Sequence, residues 1–264
     1  MKVLIIGASG FLGRTISFKL KNKGVDVLGT YCTNKKDDFI YVDIMDVNKL
    51  VDICSTFNPD AIIWTIMNHE LEEEIAEKVM PKICDNLGDT RFIFISTSVA
   101  YEKNMLEEVK PQIRTPKMYN YHYFNGKIKS EQIIEKTKNY CIVRPGSIYG
   151  VNPYGEMDIR SKILKGKIDS CSEYNRAGNI IFSIIEVNEL ADCVIELLGN
   201  NYVGIINISE EQPVSHYEFN KALCRRYGWD DSYVIENEAE ENIYYFNNDL
   251  RKELLKTTIS TING

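Results

Sequence analysis

No apolar run in the 264-residue chain reaches the roughly 18 residues that a membrane span needs, so no membrane partner is expected. The seven cysteines, at 32, 54, 84, 141, 171, 193 and 224, form no CxxC pair and are odd in number. That excludes a disulfide framework and reads as reduced core thiols. His69, His122 and His216 share no ligand spacing, so no catalytic metal is expected and each reads as a surface or packing residue. Concentrated positive charge is missing too. The formal net charge is -7, with no long basic run, which argues against nucleic acid as a partner. An anionic ligand must therefore be met locally, by backbone amides and a few arginines. "MKVLIIGASG" lacks the long apolar stretch and small-residue cleavage site of a signal peptide, so a cytoplasmic location is expected.

What the chain does have is alternation. Short β-branched runs, "KVLII" (2–6), "VDVLG" (25–29), "FIYV" (39–42), "AIIWT" (61–65), "RFIFIS" (91–96) and "YCIVR" (140–144), are separated by amphipathic stretches such as "VNKLVDICSTF" and "HELEEEIAEKVMPKICDNL". Continuous apolar strands between helices predict a parallel sheet covered on both faces, a doubly wound α/β (Rossmann) fold. After "RPGSIYG" the rhythm changes, with no clean linker. The reading is a dinucleotide-binding domain over 1–150, to which 181–209 returns, and a smaller interleaved C-terminal substrate-binding lobe made of 151–180 and 210–264. The acidic run "ELEEEIAEK" (70–78) reads as a solvated helix face.

In "VLIIGASGFLGRTI", Gly7, Gly10 and Gly13 stand where the first strand ends and a helix begins, with Ser9, Phe11 and Leu12 between and beside them. A tight turn, a backbone that can approach a pyrophosphate, and close helix packing are what a dinucleotide requires there, in front of a helix N-terminus. The spacing is GxxGxxG, not GxGxxG. Asp26 lies at the wrong end of the second strand to hold an adenosine ribose. At the useful end stand Thr30, Tyr31, Thr33, Asn34, Lys35 and Lys36, hydroxyls and lysines suited to a 2'-phosphate. NADPH is expected, with NADH as the alternative.

The pattern YxxxK occurs three times, at Tyr31 with Lys35, Tyr123 with Lys127 and Tyr217 with Lys221. Only the second opens a helix between the fifth and sixth strands. Residues four apart share a helix face, and a lysine ammonium beside a tyrosine is expected to lower the phenol's pKa and make it a usable acid and base. Ser96, Thr97 and Ser98 end the fifth strand, where a hydroxyl can polarise a substrate carbonyl; the alternative for each is a turn residue bonding its own backbone. Arg144, Arg160 and Arg176 are candidates for clamping a substrate diphosphate, or for structural ion pairs.

"GASGFLG", "YVDIMD" (41–46), "PDAIIW" (59–64), "STSVAYE" (96–102), "YFNGKIKSE" (123–131), "VRPGSIYG" (143–150) and "GIINISEEQPVSHYEF" (204–219) occur in this order over about residues 1–220. Together they resemble the extended short-chain dehydrogenase/reductase family, and within it the dTDP-4-dehydrorhamnose reductase branch. The resemblance implies Thr97, Tyr123 and Lys127 as the catalytic set, Lys127 also holding the nicotinamide ribose. It implies Asp43 and Ile44 beside the adenine, and Trp64 and Thr65 along the cofactor. Dehydratases of this family resemble one another in an Asp-Glu pair after the threonine; Ser98 and Val99 stand there instead, which counts against dehydration. The Pro- and Arg-rich segment near the C-terminus of the reductases is replaced by "YYFNNDLRKELL". The expected activity is reduction of a nucleotide-activated keto-sugar, a nucleotide-sugar substrate being the partner and a homodimer the assembly considered. The rival readings are an epimerase that keeps NAD bound and a non-catalytic dinucleotide-binding subunit.

Overall fold

The apolar runs become strands and the amphipathic stretches become helices, nearly at the boundaries the periodicity predicts. The computed structural model describes residues 1–36, 38–97 and 102–263, so Ser98 lies outside the described residues. The elements run β1 (Lys2–Ile6), α1 (Phe11–Asn22), β2 (Asp26–Tyr31), β3 (Phe39–Tyr41), α2 (Val47–Phe57), β4 (Ala61–Trp64), α3 (Glu72–Glu74), a π-helical turn (Ile75–Val79), α4 (Met80–Asp85), β5 (Arg91–Ile95), α5 (Tyr121–Ile134) and β6 (Tyr140–Pro145). There follow β7 (Ser147–Tyr149), α6 (Ile159–Asp169), β8 (Tyr174–Ala177), β9 (Ile180–Phe182), β10 (Ile184–Glu186), α7 (Val187–Leu198), β11 (Gly204–Ile208), β12 (Val214–Ser215), α8 (His216–Tyr227), β13 (Val234–Asn237), β14 (Asn242–Ile243) and α9 (Asp249–Leu254).

Seven strands form the main sheet in the order β11-β6-β5-β4-β1-β2-β3, and β1 to β6 all pair in parallel. This is the doubly wound α/β fold. Strands β1, β4 and β5 are buried almost throughout, as expected of strands covered by helices on both faces. The chain winds outward in one direction from β1 to β2 and β3, and in the other from β4 to β5 and β6. The crevice for a ligand therefore opens at the carboxyl ends of β1 and β4. Leu4, Ile6, Leu50, Ile62, Trp64, Val79, Phe92, Phe94 and Ile142 are among the residues of the core around this sheet.

Two compact units divide the chain: 1–99 with 110–144 and 191–206, and 100–109 with 145–190 and 207–264. The return to the first unit is thus shorter than the expected 181–209. In the second unit β7 pairs with β10, β8 with β13, and β9 with both β12 and β14. Its core gathers Tyr149, Leu164, Ile184, Phe219 and Leu223. Helix α8 starts with a full capping box, Ser215 accepting from the Glu218 amide and Glu218 accepting from the Ser215 amide. Among the described residues no helix is long and apolar enough to cross a membrane.

Candidate active site

The turn from β1 into α1 is shaped by glycine. Gly7 has φ of +91°, a conformation that L side chains avoid. A Cβ on Gly13 would stand 2.4 Å from the Gly7 carbonyl oxygen and 2.9 Å from Ala8 Cα. Behind the turn, the Thr65 hydroxyl donates to the carbonyls of Ile6 and Gly7 at 3.1 and 3.0 Å, and Thr30 Oγ1 accepts from the Gly7 amide at 3.0 Å. Gly10 is the N-cap of α1 and offers no side chain to its first amides. The N-terminal amides at Phe11, Leu12 and Gly13 belong to a backbone with no competing side-chain cap and a partial positive charge. These residues fit a pyrophosphate, while Ser9 is half-buried in the turn itself.

Other expected cofactor residues separate on inspection. Tyr31 ends β2 half-buried, its ring edge-on to Tyr41 at 5.7 Å. Lys35 is exposed in the following loop and Asp43 is exposed after β3. The Asp43 carboxylate accepts from the Met45 amide at 2.9 Å, and Ile44 is buried. Trp64 corrects the expectation made for it. Its side chain is fully buried in the core and packs edge-on against Phe92 at 6.4 Å, because β4 is covered on both faces. Thr65, the next residue, supports the glycine turn through its hydroxyl.

Tyr123 lies on α5, 8% exposed, hydrogen-bonded with Thr97. Thr97 is itself buried just past β5. Lys127, one turn further along α5, is 1% exposed. Its Nζ donates to the carbonyls of Ile66 at 2.7 Å and Ile95 at 3.1 Å, and lies 3.0 Å from Glu72 Oε1 in a buried ion pair. The structure thus brings together the three residues expected to form the catalytic set.

The electrostatics differ from expectation. Burial pushes the Tyr123 phenol well above its ordinary value, the hydrogen bond with Thr97 pulls it down, and the Glu72 carboxylate raises it again. The anticipated lowering by Lys127 is not what dominates, since the ammonium is already paired with Glu72. Two neighbours escaped the sequence reading. Glu72 was counted in the solvated acidic run, yet it is fully buried. His69, read as a surface or packing residue, is exposed but has its ring 5.2 Å from that of Tyr123, with Nδ1 against Asn120 Nδ2 at 2.7 Å. The signal for Glu72 was periodicity: it falls in step with the buried Ile75, Ala76 and Val79.

Of the three candidate arginines, Arg144 belongs to the interior of the sheet unit. It is 2% exposed and grips Glu131 through Nε at 3.2 Å and Nη2 at 2.8 Å. Ser96 donates to the same carboxylate at 2.5 Å. This is the structural ion pair weighed for Arg144 from sequence. In the second unit, Arg176 stacks over the Tyr174 ring at 3.8 Å and Arg160 lies 5.5 Å from the Phe182 ring centroid. Arg176 Nε is buried without a hydrogen-bond partner among the described residues. His216 is edge-on to Phe182 at 4.6 Å. Burial, with help from the charges of Arg160 and Arg176, holds its imidazole down at about 4.

The family model described as NAD dependent epimerase/dehydratase matches residues 3–208. The chain belongs to this family. Members are nicotinamide-dinucleotide-dependent enzymes of the extended short-chain dehydrogenase/reductase type, and so is this protein. Nothing among the curated proteins matches it. Among solved structures it is similar to a hypothetical dTDP-4-dehydrorhamnose reductase from Sulfolobus tokodaii, with a TM-score of 0.80 and 21% identity over 99% of this chain and 97% of that one. A dTDP-4-dehydrorhamnose reductase from Bacillus anthracis in complex with NADP gives 0.78 and 17% over 99% and 95%. A UDP-glucose 4-epimerase from Thermotoga maritima with UDP-glucose gives 0.76 and 18% over 100% and 96%. At these identities the family shares its fold across several reactions.

Proposed function

We infer that the protein reduces the carbonyl of a nucleotide-activated keto-sugar, a 4-keto-6-deoxy sugar in particular, with NADPH as reductant. The observation that carries this reading is Tyr123: a buried phenol, hydrogen-bonded with Thr97 and held above its ordinary range, is a proton donor poised to stay protonated at neutral pH. Carbonyl reduction uses such a donor at the oxygen that becomes the alcohol. When bound, the reduced nicotinamide supplies the hydride. Thr97 and Tyr123 orient and polarise the carbonyl, and Tyr123 gives its phenolic proton to the oxygen as the carbonyl becomes an alcohol. The phenolate left behind must be reprotonated before the next turnover.

The backbone of Gly10, Phe11 and Leu12 would hold the pyrophosphate, Asp43 and Ile44 the adenine, and Tyr31 with Lys35 the 2'-phosphate. Lys127 would take the nicotinamide ribose by exchanging one of its present acceptors. In the second unit, the guanidinium groups of Arg160 and Arg176, with the neutral imidazole of His216 near them, suit a diphosphate, since guanidinium groups meet phosphate oxygens bidentately. The test is loss of reduced-nicotinamide absorbance with a panel of nucleotide-linked 4-keto-6-deoxy sugars. Tyr123→Phe is expected to lower turnover by roughly 100-fold or more while cofactor still binds. Unchanged turnover in that variant would remove Tyr123 from the chemistry.

A further inference from the structure

The buried turn that enters α3 has a role at this centre that neither family membership nor the reductase reading assigns. Glu72 is fully buried, although it sits among five exposed or half-buried acidic and basic neighbours, Glu70, Glu73, Glu74, Glu77 and Lys78. One carboxylate oxygen accepts from the Asn68 amide at 3.0 Å, and the other lies 3.0 Å from Lys127 Nζ. The backbone is built to bring it there. A Cβ on Gly126, the residue before Lys127, would stand 2.3 Å from the Glu72 carbonyl carbon and 2.4 Å from its oxygen. Only glycine lets this turn lie so close against α5. Removing two opposite charges from water costs several kcal/mol per ion, so a pair held this tightly is a feature to be explained.

We propose that Glu72 is a positioning residue of the reaction centre: its carboxylate fixes and neutralises the Lys127 ammonium, which keeps Tyr123 protonated as the proton donor to higher pH. The inference rests on the reductase reading for its consequence but not for its geometry. A bare lysine ammonium beside a tyrosine favours the phenolate; an ammonium that shares its field with a buried carboxylate does not. Among the described residues, the titratable and charged groups facing Tyr123 are Glu72, Lys127 and His69, the last through its ring. His122 and Lys129, also on α5, turn instead to Glu73 and Glu77 at the surface.

The test needs neither substrate nor cofactor. The full chain is labelled with tyrosine carrying 13C at Cζ, the Tyr123 signal is assigned by its loss in Tyr123→Phe, and its ionisation is followed with pH. In the wild type the signal is expected to stay that of the phenol beyond pH 10, the ordinary value. In Glu72→Gln the midpoint is expected to fall by about one unit or more, a tenfold change in the ionisation constant. Glu72→Asp, which keeps the charge, is expected to restore it. A wild-type midpoint below 10, or the same midpoint in Glu72→Gln as in wild type, overturns the proposal. Should Glu72→Gln not fold, the wild-type titration and Glu72→Asp still decide, because a midpoint under 10 in either is incompatible with a neutralised ammonium. With an active substrate, Glu72→Gln is further expected to move the basic limb of the kcat profile for reduction to lower pH and to leave KM nearly unchanged. If no keto-sugar is reduced, the reductase reading fails while the titration still stands.

Discussion

Replacing Glu131 by alanine probes whether Arg144 is held as a structural cation inside the sheet. The pair is side-chain exposed by only 6% at Glu131 and 2% at Arg144, with Nη2 at 2.8 Å and Nε at 3.2 Å. Removing one partner of a buried pair takes away the charge that neutralises the other and costs roughly 3–5 kcal/mol. At about 2–4 °C per kcal/mol for a chain of this size, the melting temperature is expected to drop by roughly 10 °C. The double variant Glu131→Leu with Arg144→Met replaces both charges by apolar groups of similar volume and is expected to recover most of the loss. Thermal and urea unfolding followed by far-UV circular dichroism measures both. Ser96, which donates to Glu131, directly precedes Thr97, so the alanine variant is also expected to lose activity through displacement of that hydroxyl. A cost below about 1 kcal/mol, the range of exposed pairs, would refute the reasoning. It would also return Arg144 to the list of substrate-binding candidates.

The glycine turn and the buried histidine of the second unit give further expectations. Gly13→Ala places a methyl 2.4 Å from the Gly7 carbonyl oxygen, a backbone atom that cannot step aside. A destabilisation of about 1–3 kcal/mol from overpacking is expected, together with a loss of NADPH affinity by fluorescence titration; unaltered affinity would mean that the turn does not hold the pyrophosphate. His216 is lowered from 6.5 to about 4, so its neutral form is favoured in the folded state. Its contribution is fully present above 6.5 and is lost as pH falls through about 4, roughly 3 kcal/mol in all by linkage. The raised carboxyls of Glu186 and Glu210 in the same unit act with the opposite sign, being stabilising when protonated and losing that contribution as pH rises. The difference between wild type and His216→Gln across pH 4–7 isolates the histidine, and a flat difference would contradict it.

How much of this could be read from the sequence depended on the distance over which each feature is encoded. Helix α2 occupies 47–57, the same residues as the predicted run, because amphipathic period and capping are local. The glycine turn is likewise contained in seven residues, and Tyr123 with Lys127 is one helical turn. What failed was partnership across the chain. Glu72 and Lys127 are 55 positions apart, and an acidic run looks solvated unless one asks which of its members falls on the apolar stripe. Trp64 was placed along the cofactor by the family resemblance, but a strand covered on both faces sends its largest ring into the core. For Arg144, sequence held two readings open, and the deciding partner, Glu131, sits on the neighbouring helix.

Those long-range partners share one design. Lys127 and Glu131 lie four apart on α5, and each meets an opposite charge from a different element: Glu72 from the start of α3, and Arg144 from β6. The four charges alternate in sign and sum to zero, so the helix that carries Tyr123 is clamped on two sides without net charge being buried. Both clamps also touch the end of β5, Lys127 through the Ile95 carbonyl and Glu131 through the Ser96 hydroxyl. Ile95, Ser96 and Thr97 are consecutive. Both ion pairs therefore anchor the strand end that carries the Thr97 hydroxyl, next to the hydrogen bond that it shares with the Tyr123 phenol. A substitution at either clamp is then felt at the proton donor even though neither Glu72 nor Arg144 need touch a substrate.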